Sequence, residues 1–326
     1  MSSSVLLILV GPVNSRRFGK SLGIDLSPSK KQCNFDCLYC ELKPAKTVDS
    51  YSDVLSVENI ITALKNALAK HQDIDVITLT ANGEPTLYPY LDELIDEIDR
   101  LKGDVKTLIL SNGATIDKAE VQKALLKLDT VKLSLDCANA QCLKKLDRAS
   151  KSIDIENIKR GMLAFKEIYN GALIVEVLFV KNINDDAQNI SGLNKYLLKL
   201  QPSRIDIGSI DRPPAYDVKG LNYDELLKLS KQFDTHLPIY IVSRKLIKIK
   251  AENYSDDEIL TTLANRPLTD EDIAILFDKE SQERVKHIFL RYTLNILDIK
   301  AFFYYNLIHF REAFASFLFR ISSAVE

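Results

Sequence analysis

From about residue 20 to residue 240, short apolar runs alternate with longer stretches whose apolar residues recur at helical spacing. Residues 22–26, 76–80, 105–110, 131–135, 173–180 and 204–207 read as strands. The intervening segments 57–69, 91–101, 118–128, 155–169, 187–200 and 223–233 read as helices; in the first, Val57, Ile60, Ile61, Leu64 and Leu68 fall on one face. The strand runs are rich in Val, Ile and Leu and nearly continuous, which is the pattern of parallel strands covered by helices on both faces. Six strand–helix units predict an α/β fold, as a partial barrel or a doubly wound sheet, and periodicity does not choose between them. In either, chemistry gathers at the C-terminal ends of the strands. Ahead of these units, Val5 to Val10 read as one more buried strand.

After about residue 245 the character changes, so the expected division is a core domain at 1–245 and a C-terminal helical region at 246–326. Ser255, Thr269 and Ser281 are expected N-caps of three short helices. Three capped helices with tight turns resemble a helix-turn-helix or winged-helix unit, with a small helical cap on the core as the alternative. Farther on, Phe303, Leu307, Phe310, Phe314, Phe317 and Ile321 form one helical apolar seam, read as core packing or as the surface of a homodimer.

Composition narrows the classes. The 326 residues are 46% hydrophobic with a formal net charge of -2, so this is a globular chain without a global basic field. The six apolar residues near the start are too few for a signal peptide or a membrane span, and five cysteines, three of them within eight residues, do not resemble a secreted disulfide framework. The expected location is the cytoplasm, away from membranes.

Those three cysteines carry the chemistry. Cys33-Asn34-Phe35-Asp36-Cys37-Leu38-Tyr39-Cys40 is a CxxxCxxC array. Thiolates are the usual ligands of iron–sulfur clusters, and three of them on a four-iron cluster leave one iron open to a small molecule. A structural zinc site is the competing reading, but it asks for four ligands. His71 lies in an expected helix, and Cys137 and Cys142 are about a hundred residues away and read as buried thiols.

CxxxCxΦC with an aromatic before the last cysteine, here Tyr39, resembles the signature of the radical S-adenosylmethionine (SAM) superfamily. Gly83-Glu84-Pro85 resembles that superfamily's Gly-Glu motif, and Ser111-Asn112-Gly113 and Ser134-Leu135-Asp136 end the next two strands. The segments 11–23, Asn82-Gly83-Glu84-Pro85-Thr86-Leu87 and Asp211-Arg212-Pro213-Pro214 further resemble iron–sulfur oxidoreductases similar to the wyosine-tRNA synthesis enzymes. The resemblance implies a partial (β/α)6 TIM-like barrel, one 4Fe–4S cluster held by Cys33, Cys37 and Cys40, and SAM. It also implies an external one-electron donor such as flavodoxin or ferredoxin, and suggests an RNA substrate.

By the same resemblance, Tyr39 packs beside the cluster or the adenine. Glu84 accepts hydrogen bonds from the SAM ammonium, Gly83 lets the backbone approach the ligand, and Pro85 fixes the turn. Asp136 and Asn112 are candidates for ribose or SAM contact, and Arg148 for the SAM carboxylate. Glu176 stands in an apolar strand, where a carboxylate needs a partner; it is a candidate for substrate or SAM contact, with Asn182 and Asn184 at that strand's end. Arg16, Arg17, Lys20, Lys30 and Lys31 form a basic stretch suited to a phosphate-bearing substrate or an acidic donor, with a solvated loop as the plain alternative; Arg212 is a further candidate. The rival to an enzyme is a redox or SAM-sensing regulator acting through the helical tail, although the acidic stretch 253–283 speaks against DNA.

Overall fold

The computed structural model describes residues 8–15, 17–242, 253–256, 258–260, 273–274 and 277–294. The chain divides into two compact units, Met1–Ile247 and Lys248–Glu326.

The first unit opens on an antiparallel hairpin, β1 (Leu9–Ser15) and β2 (Gly19–Asp25). Parallel strands β3 (Val76–Thr80), β4 (Lys106–Ser111), β5 (Thr130–Ser134), β6 (Ala172–Phe179), β7 (Arg204–Ser209) and β8 (Ile239–Ile241) follow. Between them run α1 (Val57–Lys70), α2 (Leu91–Leu101), α3 (Ala119–Leu125), α4 (Ala140–Leu146), α5 (Ile155–Ile168), α6 (Ala187–Leu200) and α7 (Tyr223–Ser230). The strands lie side by side in chain order. A doubly wound sheet would reverse that order at a switch point. Here each crossover adds the next strand on the same side, which makes a partial barrel of six βα units, β2 to β7. The described strands β1 and β8 are its two edges.

Local signals set the helix starts. Ser56 caps α1 by accepting the Asn59 N–H, Asp186 caps α6 by accepting those of Gln188 and Asn189, and Asn222 with Glu225 forms a capping box on α7. The outward faces of the strands, including Val131, Leu133, Val175, Val177, Ile205 and Ile207, are fully buried. They share one core with Leu64, Leu94, Ile98, Phe165 and Leu193 of the helices. Each such side chain contributes about 1.5–3 kcal/mol by leaving water.

Of the early apolar run, Val5 to Leu7 lie outside the described residues, and the described strand runs Leu9–Ser15. Neither α4 nor β8 is read from the sequence; seven and three residues are too few to show a period. The expected helix 118–128 is cut to Ala119–Leu125, and its cap position, Lys118, makes no side-chain capping bond.

In the second unit, Tyr254, Ile259, Phe277, Val285 and Ile288 form a small core, with the Tyr254 and Phe277 rings 4.7 Å apart edge to face. Ser255 and Glu258 bond reciprocally, as a capping box requires. The helix α8 (Lys279–Leu294) begins before Ser281, whose N–H donates to Asp278 Oδ1. Asp278 is therefore the cap. Ser281 sits buried in the first turn, where its hydroxyl accepts the Tyr254 N–H at 2.6 Å. Thr269 and the seam Phe303 to Ile321 lie outside the described residues. Among the described residues no helix is long and apolar enough to cross a membrane.

Candidate active site

The cysteine segment lies in the long loop between β2 and α1, at the C-terminal mouth of the barrel. Gln32 staples this loop together. Its Nε2 donates to Ser27 Oγ at 2.9 Å and to the Asp53 carbonyl at 2.8 Å, while its Oε1 accepts the Ser52 N–H at 2.7 Å. Gln32 is also the residue by which the loop joins the sheet. Its N–H donates to the Asn82 carbonyl and its carbonyl accepts the Glu84 N–H, both at 2.9 Å. Gly83 lies between those two bonds at φ +147, and a Cβ there would fall 1.9 Å from the Gln32 carbonyl oxygen. The missing side chain at Gly83 lets its backbone approach the cysteine loop at Gln32.

Glu84 is likewise held by the chain around it. Its carboxylate is 1% exposed. Oε1 accepts the Thr86 N–H, the Thr86 hydroxyl and the Ser111 hydroxyl at 2.9, 2.6 and 2.7 Å, and Oε2 accepts the Asn112 N–H at 2.7 Å. Three protein donors fill Oε1, and Oε2, with a single donor, keeps one accepting site. Burial nonetheless raises its pKa, because those bonds only partly offset desolvation. Glu84 caps the short 3-10 turn Pro85–Leu87, with Pro85 in its first position. Asn112 joins the ends of β3 and β4 to the cysteine loop: its Nδ2 donates to Asn34 Oδ1 at 2.7 Å and lies 3.7 Å from Cys33 Sγ.

The opposite wall is built on Asp136, just past β5. The Tyr39 hydroxyl donates to Asp136 Oδ2 at 2.5 Å, and the Leu178 N–H to Oδ1 at 2.6 Å. Burial pushes the Asp136 pKa up to about 7, against the pull of those two bonds. Asp136 is 4% exposed and clamps the CxxxCxxC aromatic to β6. Asn184 supports it from below the surface, donating to the Asp136 and Leu178 carbonyls. Asn182 occupies a turn at φ +61.

The loop after β7 straps the cysteine segment from outside. The Ala215 N–H donates to the Cys40 carbonyl at 2.8 Å, Arg212 Nη1 reaches both Glu41 oxygens at 2.8 and 2.6 Å, and the Tyr216 hydroxyl donates to Asp36 Oδ2 at 2.5 Å. Arg148, expected at a ligand carboxylate, lies 3.6 Å from Asp36 Oδ2 with its guanidinium 4.7 Å over the Tyr216 ring. Lys31 donates to Asp36 Oδ1 at 2.9 Å. Asp36, inside the motif and overlooked in the sequence, is where three side chains converge; these donors hold its pKa below the usual value although burial opposes them.

The expected basic stretch does not form one patch. Lys20 pairs with Asp73, Lys30 donates to Ser52, Lys31 serves Asp36, and Arg16 lies outside the described residues. Arg17 points into the barrel, where its Nη1 is 2.9 Å from both Glu176 Oε1 and Asp206 Oδ2. Glu176 therefore has the partner its burial demanded, and a second in Lys132 at 2.5 Å. Lys132 and Asp206 carried the same signal as Glu176, a charge inside an apolar strand run, and the sequence reading passed over them. Cys137 and Cys142 form a disulfide rather than two buried thiols.

Cys33, Cys37 and Cys40 are unpaired and partly exposed at the barrel mouth. Burial pushes the Cys33 thiol up to about 12, with the nearby Glu84 adding to it, and raises Cys37 and Cys40 as well. Thiolates here ask for a cationic partner such as iron. Among the described residues no three His, Cys, Asp or Glu side chains converge on a single metal ion. Three sulfurs spread along one short loop fit three corners of a larger cluster.

The chain is similar to known proteins in sequence and in fold. A family model described as the radical SAM superfamily matches residues 29–190. The chain is 44% identical over 280 residues to a UPF0026 protein of Helicobacter pylori, spanning 85% of this chain and 90% of that one. It is 26% identical over 250 residues to an S-adenosylmethionine-dependent nucleotide dehydratase of Flammeovirga pacifica, 72% of this chain and 78% of that one. A radical SAM methyltransferase from Sphaerobacter thermophilus superposes with TM-score 0.54 at 13% identity, over 69% of this chain and 66% of that one, a likeness of fold alone.

Proposed function

Because the chain belongs to the radical SAM superfamily, alongside the UPF0026 proteins, we propose that it cleaves SAM reductively to methionine and a 5′-deoxyadenosyl radical that takes hydrogen from a substrate. It is a radical SAM enzyme whose cofactors are a 4Fe–4S cluster and SAM, and such enzymes need an external electron donor. When bound, the reduced cluster supplies the electron that breaks the carbon–sulfur bond. The observation that carries the reading is three unpaired thiols on a loop pinned at the barrel mouth.

The residues around that loop bind, orient and exclude water. Cys33, Cys37 and Cys40 hold the cluster. Gly83 and Gln32 fix the loop to β3, Glu84 and Asn112 fix the ends of β3 and β4 beside it, and Tyr39 with Asp136 fixes it to β5 and β6. The strap at Arg212, Ala215 and Tyr216 covers its outer side. The donor is read as a flavodoxin- or ferredoxin-like protein. An RNA substrate is suggested by the motif resemblance; a small metabolite is the second reading, favoured by the polar barrel interior.

The test is anaerobic. The protein is reconstituted with iron and sulfide, given dithionite and SAM, and 5′-deoxyadenosine is quantified beside Cys33→Ala, Cys37→Ala and Cys40→Ala. Product from the wild type alone supports the reading. Stoichiometric zinc with no iron uptake would overturn it. Stimulation by total cell RNA, rather than by a small-molecule extract, would favour the RNA substrate.

A further inference from the structure

The end of α4 runs directly beside the cysteine loop. The Asp36 N–H donates to the Asp147 carbonyl at 3.0 Å, and the Leu38 N–H to the Leu146 carbonyl at 2.9 Å. The buried Asp147 carboxylate accepts from the Cys37 thiol. Its neighbour Arg148 is at the surface: the side chain is 43% exposed, and the guanidinium lies 4.7 Å over the Tyr216 ring. One residue, Asp147, therefore stands between the Cys37 sulfur and solvent-facing Arg148. An electron that passes between two proteins needs such a thin wall, because transfer falls off steeply with distance.

This surface is basic on a chain whose net charge is -2. Lys144 and Lys145, in the last turn of α4, are exposed, as is Lys46, and none of the three makes an ion pair among the described residues. Lys46 follows Ala45, whose N–H donates to Asp36 Oδ1 at 3.3 Å; Lys31 and Arg148 reach the same carboxylate. The anions lie underneath, with Asp36, Asp136 and Asp147 at 6%, 4% and 2% exposure. With all three counted as ionised, five cations (Lys31, Lys46, Lys144, Lys145 and Arg148) still face three anions, and all of the cations but Lys31 are exposed. The patch is also small. Asp49, Asp117 and Asp154, with Lys118, line the cleft on one flank, and Glu41, Asp211 and Asp217 follow on the side of the strap. Nucleic acid binds along a basic track that meets several phosphates. A short positive surface with acidic borders and a stacked Arg–Tyr pair has instead the make-up of a protein docking site.

We propose that this surface, formed by Lys46, Lys144, Lys145 and Arg148 beside the cysteine loop, is where a small acidic one-electron carrier protein docks. This rests on the radical reading and deepens it, because it gives the external donor a place on the chain. The carrier is oxidised by one electron and the cluster held by Cys37 is reduced by one; no bond and no proton passes between the two proteins. Entry past Asp147 leaves the barrel mouth to SAM and substrate, so the carrier does not compete with them.

The experiment uses the full chain with its cluster reconstituted anaerobically. The probe is an oxidised acidic flavodoxin, with an acidic ferredoxin in a separate arm, and binding is measured calorimetrically at rising sodium chloride. Saturable binding of at least one carrier is expected, weakening steadily with salt. The triple variant Lys46→Glu/Lys144→Glu/Lys145→Glu should weaken it about tenfold. Lys65→Glu/Lys195→Glu/Lys199→Glu makes the same change of charge at exposed positions of α1 and α6, and should leave it within about twofold. Formation of 5′-deoxyadenosine with dithionite, which needs no docking, should be equal in the wild type and both variants. With reduced carrier as the electron source, the first variant alone should show a KM for the carrier raised about tenfold. Binding of neither carrier, or no greater weakening by the first variant than by the second, would overturn the proposal. So would binding of total tRNA that the first variant loses while carrier binding persists, since the patch would then belong to RNA. A wild type that binds the carrier at this surface yet makes no 5′-deoxyadenosine with dithionite would strike the radical reading and leave the docking surface standing.

Discussion

Gly83→Ala tests the joint that ties the cysteine loop to the sheet. The added Cβ would sit 1.9 Å from the Gln32 carbonyl oxygen and 2.5 Å from its carbonyl carbon, closer than any real contact. The backbone cannot simply slide, because the Gln32 and Glu84 amides are both bonded across the same joint at 2.9 Å. Relief means parting those two bonds, at about 1 kcal/mol net each. It also means holding an L-residue at φ +147, a conformation that costs about 1–3 kcal/mol. The expected loss is therefore about 3–5 kcal/mol, a large share of the ~5–15 kcal/mol by which folded chains are stable. Urea unfolding followed by circular dichroism measures it, with iron per chain after reconstitution as the second readout. Gly103→Ala is the control: Gly103 has φ +57 and nothing within 4 Å, so it carries the conformational strain without the clash, about 1 kcal/mol. A Gly83→Ala protein no less stable than Gly103→Ala, with full iron loading, would refute the reasoning.

Tyr39→Phe removes a donor from the buried Asp136 carboxylate, with an expected loss of about 1–3 kcal/mol read by urea unfolding, and lower iron retention under chelator. Glu176 has its pKa pulled down to about 2 by Lys132 and Arg17, against the opposing effect of burial. A depressed carboxylate stabilises the fold above its unfolded value, so that stability should be lost as pH falls from about 4.5 to about 2. Allowing for its partial exposure this is about 1–2 kcal/mol, and Glu176→Gln should flatten that segment of the pH–stability curve. Intact mass after alkylation under denaturing, non-reducing conditions should show three modified cysteines, with Cys137 and Cys142 labelled only after a reductant is added; five labelled cysteines without reductant would remove the disulfide.

The alternation of short apolar runs with longer stretches of helical spacing placed β3, α2 and α6 to the residue, because run length marks a buried strand and a 3.6-residue apolar stripe marks a helix. The spacing of Cys33, Cys37 and Cys40 fixed the chemistry, since three thiolates three and four residues apart already encircle one cluster. The strand-end motifs marked where that chemistry would be supported. What each motif residue touches was decided only by the tertiary structure. Gly83 and Glu84 read as ligand contacts, and their protein partners, Gln32, Thr86, Ser111 and Asn112, are brought together by strand order. Asp36, Arg148 and Tyr216 lie far apart in the chain and meet only because the segments after α4 and after β7 both pack on the loop after β2. The charged cluster inside the barrel needed the register as well: Lys132, Glu176 and Asp206 are single charges in three separate apolar runs, and only pairing β5 with β6 and β6 with β7 turns them to the same side. A sequence states which charges are buried; which of them face one another depends on long-range pairing, a property of the folded sheet rather than of any segment within it.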